Sequence, residues 1–226
     1  MTTLIAEDLV LLLLDDESGK FTNATYLDIG IGGALLVELA LAGTVEVVKG
    51  SGMWARAKVH VTGLSAPGDP MLTEALALVG EKERAAEDLV NRLGKRRRDQ
   101  LLDRLRERGI VEPREDRVLG LIPRTRWPAV DSSHEAGVRR ELGDVLLRGV
   151  RPTERAAALV AVLQALDLAH RVIDRQGAPA REVKKRAKEV AEGDWAAKAV
   201  RDSIAAAQAA VTAALVASSA ATYGSS

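Results

Sequence analysis

Residues 28–48 read DIGIGGALLVELALAGTVEVV, and the hydrophobic pattern changes part-way along this stretch. From Asp28 to Ala42 the residues are almost all apolar, which predicts a helix, and Gly43 is typical of the residue that ends one. Residues 44–48 and 54–61 then alternate on either side of a Lys-Gly-Ser-Gly turn. That alternation predicts a β-hairpin. We therefore expect a helix followed directly by a hairpin.

Three glycines lie near the start of this predicted helix, at Gly30, Gly32 and Gly33. They resemble a phosphate-binding loop only superficially, because a dinucleotide fingerprint would need glycine where Leu35 stands and a strand before it. A P-loop would need a following Lys-Ser or Lys-Thr pair, which the sequence lacks. Close packing of the backbone at the start of the helix is the simpler interpretation.

The composition favours helices throughout the chain. Hydrophobic residues make up 47% of the 226 residues and aromatic residues only 3%, so Leu, Val, Ile and Ala must build the core. Further helices are predicted over residues 3–14, 71–79, 82–108 (with Gly94 as a possible break and Gly109 as its end), 135–147, 153–174, 180–191 and 194–221. Residues 112–133 contain three prolines and are expected to form a loop and a second hairpin. The sequence thus predicts one mainly α domain over residues 1–226.

Residue types that carry common catalytic chemistry are scarce. The chain has no cysteine, which excludes disulfides and thiol catalysis. Its histidines, His60, His134 and His170, are far apart in sequence and none has a neighbour at metal-ligand spacing. The Ser132-Ser133-His134 run lacks the context of a nucleophile elbow. We therefore expect no enzyme, no metal and no cofactor.

Residues 203–226 carry no charge and are rich in alanine. A membrane span needs about 20 strongly apolar residues, and here polar residues dilute a segment that is mostly alanine. A buried helix is the better prediction. The start of the chain shows no secretory signal, since Glu7 and Asp8 precede its apolar run.

One charged stretch stands out in a chain whose formal net charge is zero. Residues 92–111 read RLGKRRRDQLLDRLRERGIV and hold eight basic residues against three acidic ones, a local charge of +5. Such a patch suits an anionic membrane surface or another polyanion. A solvated helix face with internal ion pairs would have the same composition.

The order of several motifs along the chain resembles the Golgi phosphoprotein 3 family. The segments that carry the resemblance are LIAEDLVLLLLDDESGKF, IGIGGALLVELALAGTVEV, GDPMLTEAL, LLDRLRERGIV, ERAAALVAVLQALDLAHRVI and VKKRAKEVAEGDWAAKAVRDSI, which together span residues 4–204. The resemblance implies a central helical bundle, surrounding amphipathic helices and an apolar β-hairpin. It also implies a cytoplasmic, peripherally membrane-associated protein that binds phosphatidylinositol 4-phosphate and acts as an adaptor. The eukaryotic N-terminal extension is missing, so we expect a bacterial member.

The resemblance also assigns candidate headgroup ligands. In eukaryotic members a Trp and an Arg before the glycine pair hold the lipid with two Arg residues on a later helix. The first two positions correspond to Thr22 and Ile31, which do not match. The other two correspond to Lys95 and Arg98, which are basic and three residues apart, so we expect them to share a helix face beside Arg96 and Arg97. Half of the family's headgroup pocket is therefore absent from the sequence.

The family's hairpin corresponds to residues 117–127. Arginines there flank a short apolar segment, and the residues that we expect to contact a membrane or a second copy of the chain are Val118, Leu119, Leu121, Ile122 and Trp127. Apolar residues next to Trp and Arg suit a membrane interface. A protein contact suits them equally well, and packing onto the domain is a close third.

Three kinds of partner follow from these patterns. The first is an anionic phospholipid, which includes phosphoinositides. The second is a protein, either the acidic tail of a membrane protein or a second copy of the chain. The helix, turn, helix and hairpin at the start have something of a winged helix, which would bind nucleic acid. The helix after the first turn is too apolar to read base edges, so nucleic acid ranks well below lipid.

Overall fold

The computed structural model describes residues 3–15, 18–21, 26–48, 56–65, 68–118, 122–196 and 198–223, and the side chains of all of these except residues 116–118, 122–124, 199 and 221–223. Within these ranges the helices are α1 (Ile5–Leu13), α2 (Leu27–Leu41), α3 (Pro70–Gly80), α4 (Ala86–Gly94), α5 (Arg98–Glu107), α6 (Ser133–Leu147), α7 (Glu154–Ala165), α8 (Ala180–Ala191) and α9 (Lys198–Tyr223). The strands are β1 (Val45–Val48), β2 (Lys58–Val61), β3 (Arg114–Val118) and β4 (Ile122–Arg126). The prediction of a mainly α single domain with short hairpins is confirmed.

Helix α2 forms the centre of the bundle. Its residues are buried on all sides, which fits a helix whose only charges are Asp28 in the first turn and Glu38 near the end. Helices α1, α4, α7 and α9 pack around it. The central bundle implied by the family resemblance is therefore present.

Amphipathic helices cover this centre. Helix α8 shows the pattern most clearly, because Val183, Ala187 and Val190 are buried at spacings of four and three residues while the lysines between them are exposed. Helix α5 likewise buries Leu101 and Leu105 and exposes Asp99, Asp103, Arg106 and Glu107.

Two antiparallel hairpins complete the part of the domain that the structure describes. In the first, Val45 pairs with Val61 and Val48 pairs with Lys58, as the alternating sequence predicted. In the second, Arg114 pairs with Arg126 and the pairing continues to residues 118 and 122.

Helix α7 is shorter than the sequence suggested. A helix was predicted from residue 153 to residue 174, but α7 ends at Ala165. Asp167 adopts a left-handed conformation with φ of 56°, and the Leu168 amide donates to the Leu163 carbonyl oxygen. This is the hydrogen-bond pattern of a glycine-terminated helix, with aspartate in the glycine position. The prediction was wrong because a helix end of this type is recognised in a sequence by a glycine, and this one has aspartate instead.

Helix α9 is buried along its first half only. Ser203, Ile204, Ala207, Val211 and Ala214 face the core, as predicted for a buried helix. None of the residues from 215 to 220 is fully buried. Residues 200–220 are long and apolar enough to cross a membrane by length and composition, and the core helix of a soluble protein passes the same test.

Candidate anion-binding site

The basic stretch is positioned by a close crossing of α2 and α4. A Cβ atom on Gly32 would lie 1.8 Å from the Val90 carbonyl oxygen, and one on Gly94 would lie 1.7 Å from the Asp28 carbonyl oxygen. No side chain fits at such distances, so both positions require glycine. The crossing brings the end of α4 against the first turn of α2.

The chain breaks directly after this contact. Lys95 leaves the helical conformation with ψ of 122°, and Arg96 adopts a left-handed conformation with φ of 61°. The sequence allowed a break at Gly94, and a break is present there. The expectation that Lys95 and Arg98 share a helix face is wrong, because Lys95 follows α4 whereas Arg98 begins α5.

Arg97 holds this break in place. Its guanidinium donates to the Glu74 carboxylate on α3 at 2.6 Å and to the Gln100 side-chain oxygen at 2.8 Å. Only 15% of the Arg97 side chain is exposed. These contacts leave Arg97 little freedom to bind a ligand, although it was predicted as a headgroup ligand together with its neighbours.

Arg98 lies between an aromatic ring and a carboxylate. Its guanidinium carbon is 5.4 Å from the centre of the Phe21 ring, a cation–π distance, and its Nη2 is 3.5 Å from Asp28 Oδ1. The Nε atom is buried and has no hydrogen-bond partner among the described residues. Sequence reasoning missed both Phe21 and Asp28, since neither belongs to the basic stretch.

Lys95 and Arg96 are exposed at the break. Among the residues that the structure describes, no carboxylate lies within ion-pairing distance of either. The first turn of α5, whose amide groups have no partner within the helix, begins two residues after Arg96. We call the surface formed by Phe21, Asp28, Lys95, Arg96 and Arg98 the basic end of the bundle.

The two family positions that do not match lie apart from this surface or outside the described residues. Ile31 is fully buried in α2, so its side chain cannot reach a ligand. Thr22 lies outside the described residues. The basic residues of the break are therefore the part of the candidate headgroup site that the structure places at the surface.

The predicted hairpin residues are only partly described. Val118 and Ile122 pair across the two strands, while Leu119 and Leu121 lie outside the described residues. Trp127, which follows β4, is half-buried against the core. Whether the hairpin contacts a membrane or a second copy stays a prediction.

A short loop connects the hairpin with the basic end. The Trp127 amide donates to the Gly19 carbonyl oxygen at 3.1 Å. A Cβ atom on Gly19, whose φ is 60°, would lie 2.4 Å from the Trp127 nitrogen. Two residues after Gly19, the Phe21 ring contacts Arg98. The base of the hairpin and the break therefore flank the same loop.

A second charged cluster lies inside the domain. Glu7 is fully buried in α1. Its carboxylate accepts hydrogen bonds from the Leu4 amide at 2.6 Å and from Arg104 Nε at 3.0 Å. Arg104 also donates to Asp69, the residue that caps α3. Burial acts to lower the pKa of Arg104, but the bonds to Asp69 and Glu7 outweigh it and raise that pKa.

Arg155 joins the buried Asp8 and the partly buried Glu38 in the same region. It donates to Asp8 Oδ2 at 2.7 Å and to Glu38 Oε1 at 3.1 Å. Burial raises the pKa of Glu38, although the Ile5 amide and Arg155 oppose that shift. His134 and Thr3 both contact Asp8 Oδ1. These contacts bind α1, α2, α6 and α7 together, which is a structural role.

Comparison with known families and proteins identifies the chain at the family level. The family model for Golgi phosphoprotein 3 (GPP34) matches residues 5–207. The chain belongs to the Golgi phosphoprotein 3 family. No curated protein gives a significant match.

The Golgi phosphoprotein 3 match covers every described element from α1 to α8 and the beginning of α9, up to Ala207. Both charged regions, the basic end and the buried cluster, therefore lie inside the family domain. The second half of α9 extends beyond it. Within the described residues, no group of three or more His, Asp or Glu side chains could hold a metal ion.

Proposed function

We propose that this Golgi phosphoprotein 3 family member binds anionic phospholipid headgroups at the surface of a membrane through the basic end of its bundle. The observation that supports this most directly is the exposure of Lys95 and Arg96 beside Arg98, with no carboxylate paired to the first two among the described residues. Arginine presents forked donors that match phosphate oxygens. Phosphatidylinositol 4-phosphate is the headgroup that the family suggests.

Charge attraction supplies the affinity in this proposal. Each basic residue near an anionic surface contributes about 1 kcal/mol, so Lys95, Arg96 and Arg98 together contribute about 3 kcal/mol. That corresponds to about two orders of magnitude in affinity at low salt. Because the formal net charge of the chain is zero, this local excess would orient the protein with the basic end towards the membrane.

Selectivity among headgroups should be modest. A specific pocket would need further ligands, and the family's Arg position holds the buried Ile31. We therefore expect affinity to follow the negative charge of the membrane more closely than the identity of the headgroup. In this proposal the protein binds lipid and does not catalyse a reaction. It is cytoplasmic, attaches to the membrane surface and acts as an adaptor for the tail of a membrane protein.

A nucleic-acid role finds less support. The helix that a winged-helix arrangement would use for recognition is α2, and its residues are enclosed by the core. A recognition helix must present side chains to a groove. A gel-shift assay with random duplex checks this alternative, and a shift abolished by Arg98→Glu would favour it over lipid.

Vesicle sedimentation tests the proposal. The full chain is incubated with vesicles of phosphatidylcholine alone, with phosphatidylserine, or with phosphatidylinositol 4-phosphate at matched charge, at low and high salt. We expect salt-sensitive sedimentation with both anionic vesicles and none with the neutral ones. Failure to sediment with either anionic vesicle would refute the proposal.

A pair of charge-matched variants locates the binding surface. Lys95→Glu with Arg98→Glu should release the protein from anionic vesicles. Lys185→Glu with Lys188→Glu changes the net charge equally on α8, where both lysines are exposed, and should leave binding largely intact. Equal loss in both variants would show that overall charge acts, and not the basic end.

A further inference from the structure

The C-terminal end of α9 lies on the same side of the domain as the basic end. Ser203, near the start of α9, accepts the Val47 amide of β1, the strand that follows the C-terminal end of α2. Further along, a Cβ atom on Gly33 would lie 2.3 Å from Val211 Cγ2. Helix α9 therefore runs antiparallel to α2 and points towards the first turn of α2, where Asp28 faces Arg98.

Helix α9 is long enough to project past that first turn. From Gly33 back to Leu27, α2 spans about 9 Å, whereas α9 continues from Val211 to Tyr223 for about 18 Å. The end of α7 contacts both helices. Gln164 accepts a hydrogen bond from Gln208 of α9, and the Leu166 side chain packs against Gly30 in the first turns of α2. Residue 208 of α9 is therefore already near the start of α2, which supports the same direction. The last turns of α9 thus extend beyond the start of α2.

This segment carries no charge and is only partly buried, with Leu215 packed against the core. None of residues 215–220 is fully buried, and 63% of Val216 is exposed. No charged residue occurs from Ser203 to Ser226. The family match ends at Ala207, before this segment begins.

We propose that the segment from Leu215 to Ala220 is a membrane-interface anchor that inserts into the headgroup region when the basic end meets an anionic bilayer. This inference rests on the proposed function and names a second point of contact. An uncharged helix end with an exposed valine, on the same side as exposed cations, fits a lipid surface, which offers an apolar layer beneath anionic headgroups.

Site-specific fluorescence tests the anchor directly. Because the chain has no cysteine, Val216→Cys creates a single attachment site for an environment-sensitive dye. Ala209→Cys, at an exposed position about two turns earlier on α9, provides the matched control. Phosphatidylserine vesicles should shift the emission of the dye at residue 216 to the blue and allow quenching by brominated lipid tails, with little change at residue 209.

Sedimentation of the unlabelled chain with the same vesicles separates the two proposals. If the chain sediments but the dye at residue 216 stays in water, the anchor is refuted and headgroup binding stands. If the chain does not sediment, both are refuted. A blue shift that appears without vesicles and grows with protein concentration would assign the segment to a second copy and overturn the anchor.

A neutral substitution removes apolar contact without adding repulsion. Val216→Asn should weaken binding to phosphatidylserine vesicles by roughly tenfold, because an inserted valine side chain would be replaced by a polar one. Ala209→Asn should change binding little. Equal affinities for Val216→Asn and the unmodified chain would contradict insertion at this residue.

Discussion

Gly94 of α4 lies directly against the carbonyl oxygen of Asp28 in α2, and a Cβ atom at position 94 would lie 1.7 Å from that oxygen. The contact fixes two things together. It sets how closely the central helices pack, and it places the break that follows α4 beside the first turn of α2. The packing of the core and the geometry of the basic end therefore depend on the same residue.

Gly94→Ala should destabilise the protein by about 1–3 kcal/mol, because the added methyl group forces α2 and α4 apart. Urea unfolding measures the loss. Gly137→Ala on α6 is the matched control, since a Cβ atom there meets nothing within 4 Å. In an open helix position alanine is favoured over glycine by about 1 kcal/mol, so this control should be stabilised. Similar destabilisation of both variants would contradict the close crossing.

Replacement of Arg155 should cost far more than replacement of an exposed arginine. Arg155→Met leaves Asp8 and Glu38 without their shared cation, and removal of one partner of a buried pair costs about 3 kcal/mol or more. Arg148→Met removes an exposed pair with Asp144 and should cost less than about 0.5 kcal/mol. Urea unfolding compares the two. Equal costs would mean that the Arg155 cluster contributes no more than a surface pair.

Glu38 should make the stability of the protein depend on pH. Burial raises its pKa in the folded state, so between the ordinary glutamate pKa and the raised one the folded chain binds more protons than the unfolded chain. The free energy of unfolding contributed by this group therefore falls as pH rises through that window. Glu38→Gln cannot ionise and lacks this dependence.

The measurement is the difference in unfolding free energy between the unmodified chain and Glu38→Gln between about pH 4 and pH 8. The unmodified chain should lose stability relative to the variant as pH rises. A difference that stays constant, or that changes in the opposite direction, would show that the pKa of Glu38 is not raised in the folded state.

Local patterns in the sequence were sufficient for the helices that end at glycine. Gly43 and Gly109 both adopt left-handed conformations after α2 and α5, as the sequence predicted. Ala180–Ala191 also matches its predicted range, since its apolar spacing is regular. The end of α7 was missed because Asp167 takes the same conformation without a glycine. Sequence therefore predicts a helix end where the residue type itself signals it.

The candidate site was harder to predict because it depends on contacts distant in sequence. Lys95 and Arg98 were expected on one helix face, but Lys95 follows α4 and Arg98 begins α5, with the left-handed Arg96 between them. Phe21 and Asp28 join the site only through tertiary contacts. Glu7 and Glu38 did offer a signal, because an acidic residue inside an otherwise apolar helix needs a buried partner.

Asp28→Asn should strengthen binding to anionic vesicles, whereas most substitutions in a binding site weaken binding. The Asp28 carboxylate lies 3.5 Å from Arg98 Nη2 and competes with a lipid phosphate for that cation. Removal of one negative charge near the membrane is worth about 1 kcal/mol, or about fivefold in affinity at low salt. Vesicle sedimentation across a lipid titration measures the change, and high salt should reduce it. Asp144→Asn makes the same charge change on α6 and should leave affinity nearly constant. If Asp28→Asn weakens binding, Asp28 supports the headgroup site by positioning Arg98, and the competition argument fails.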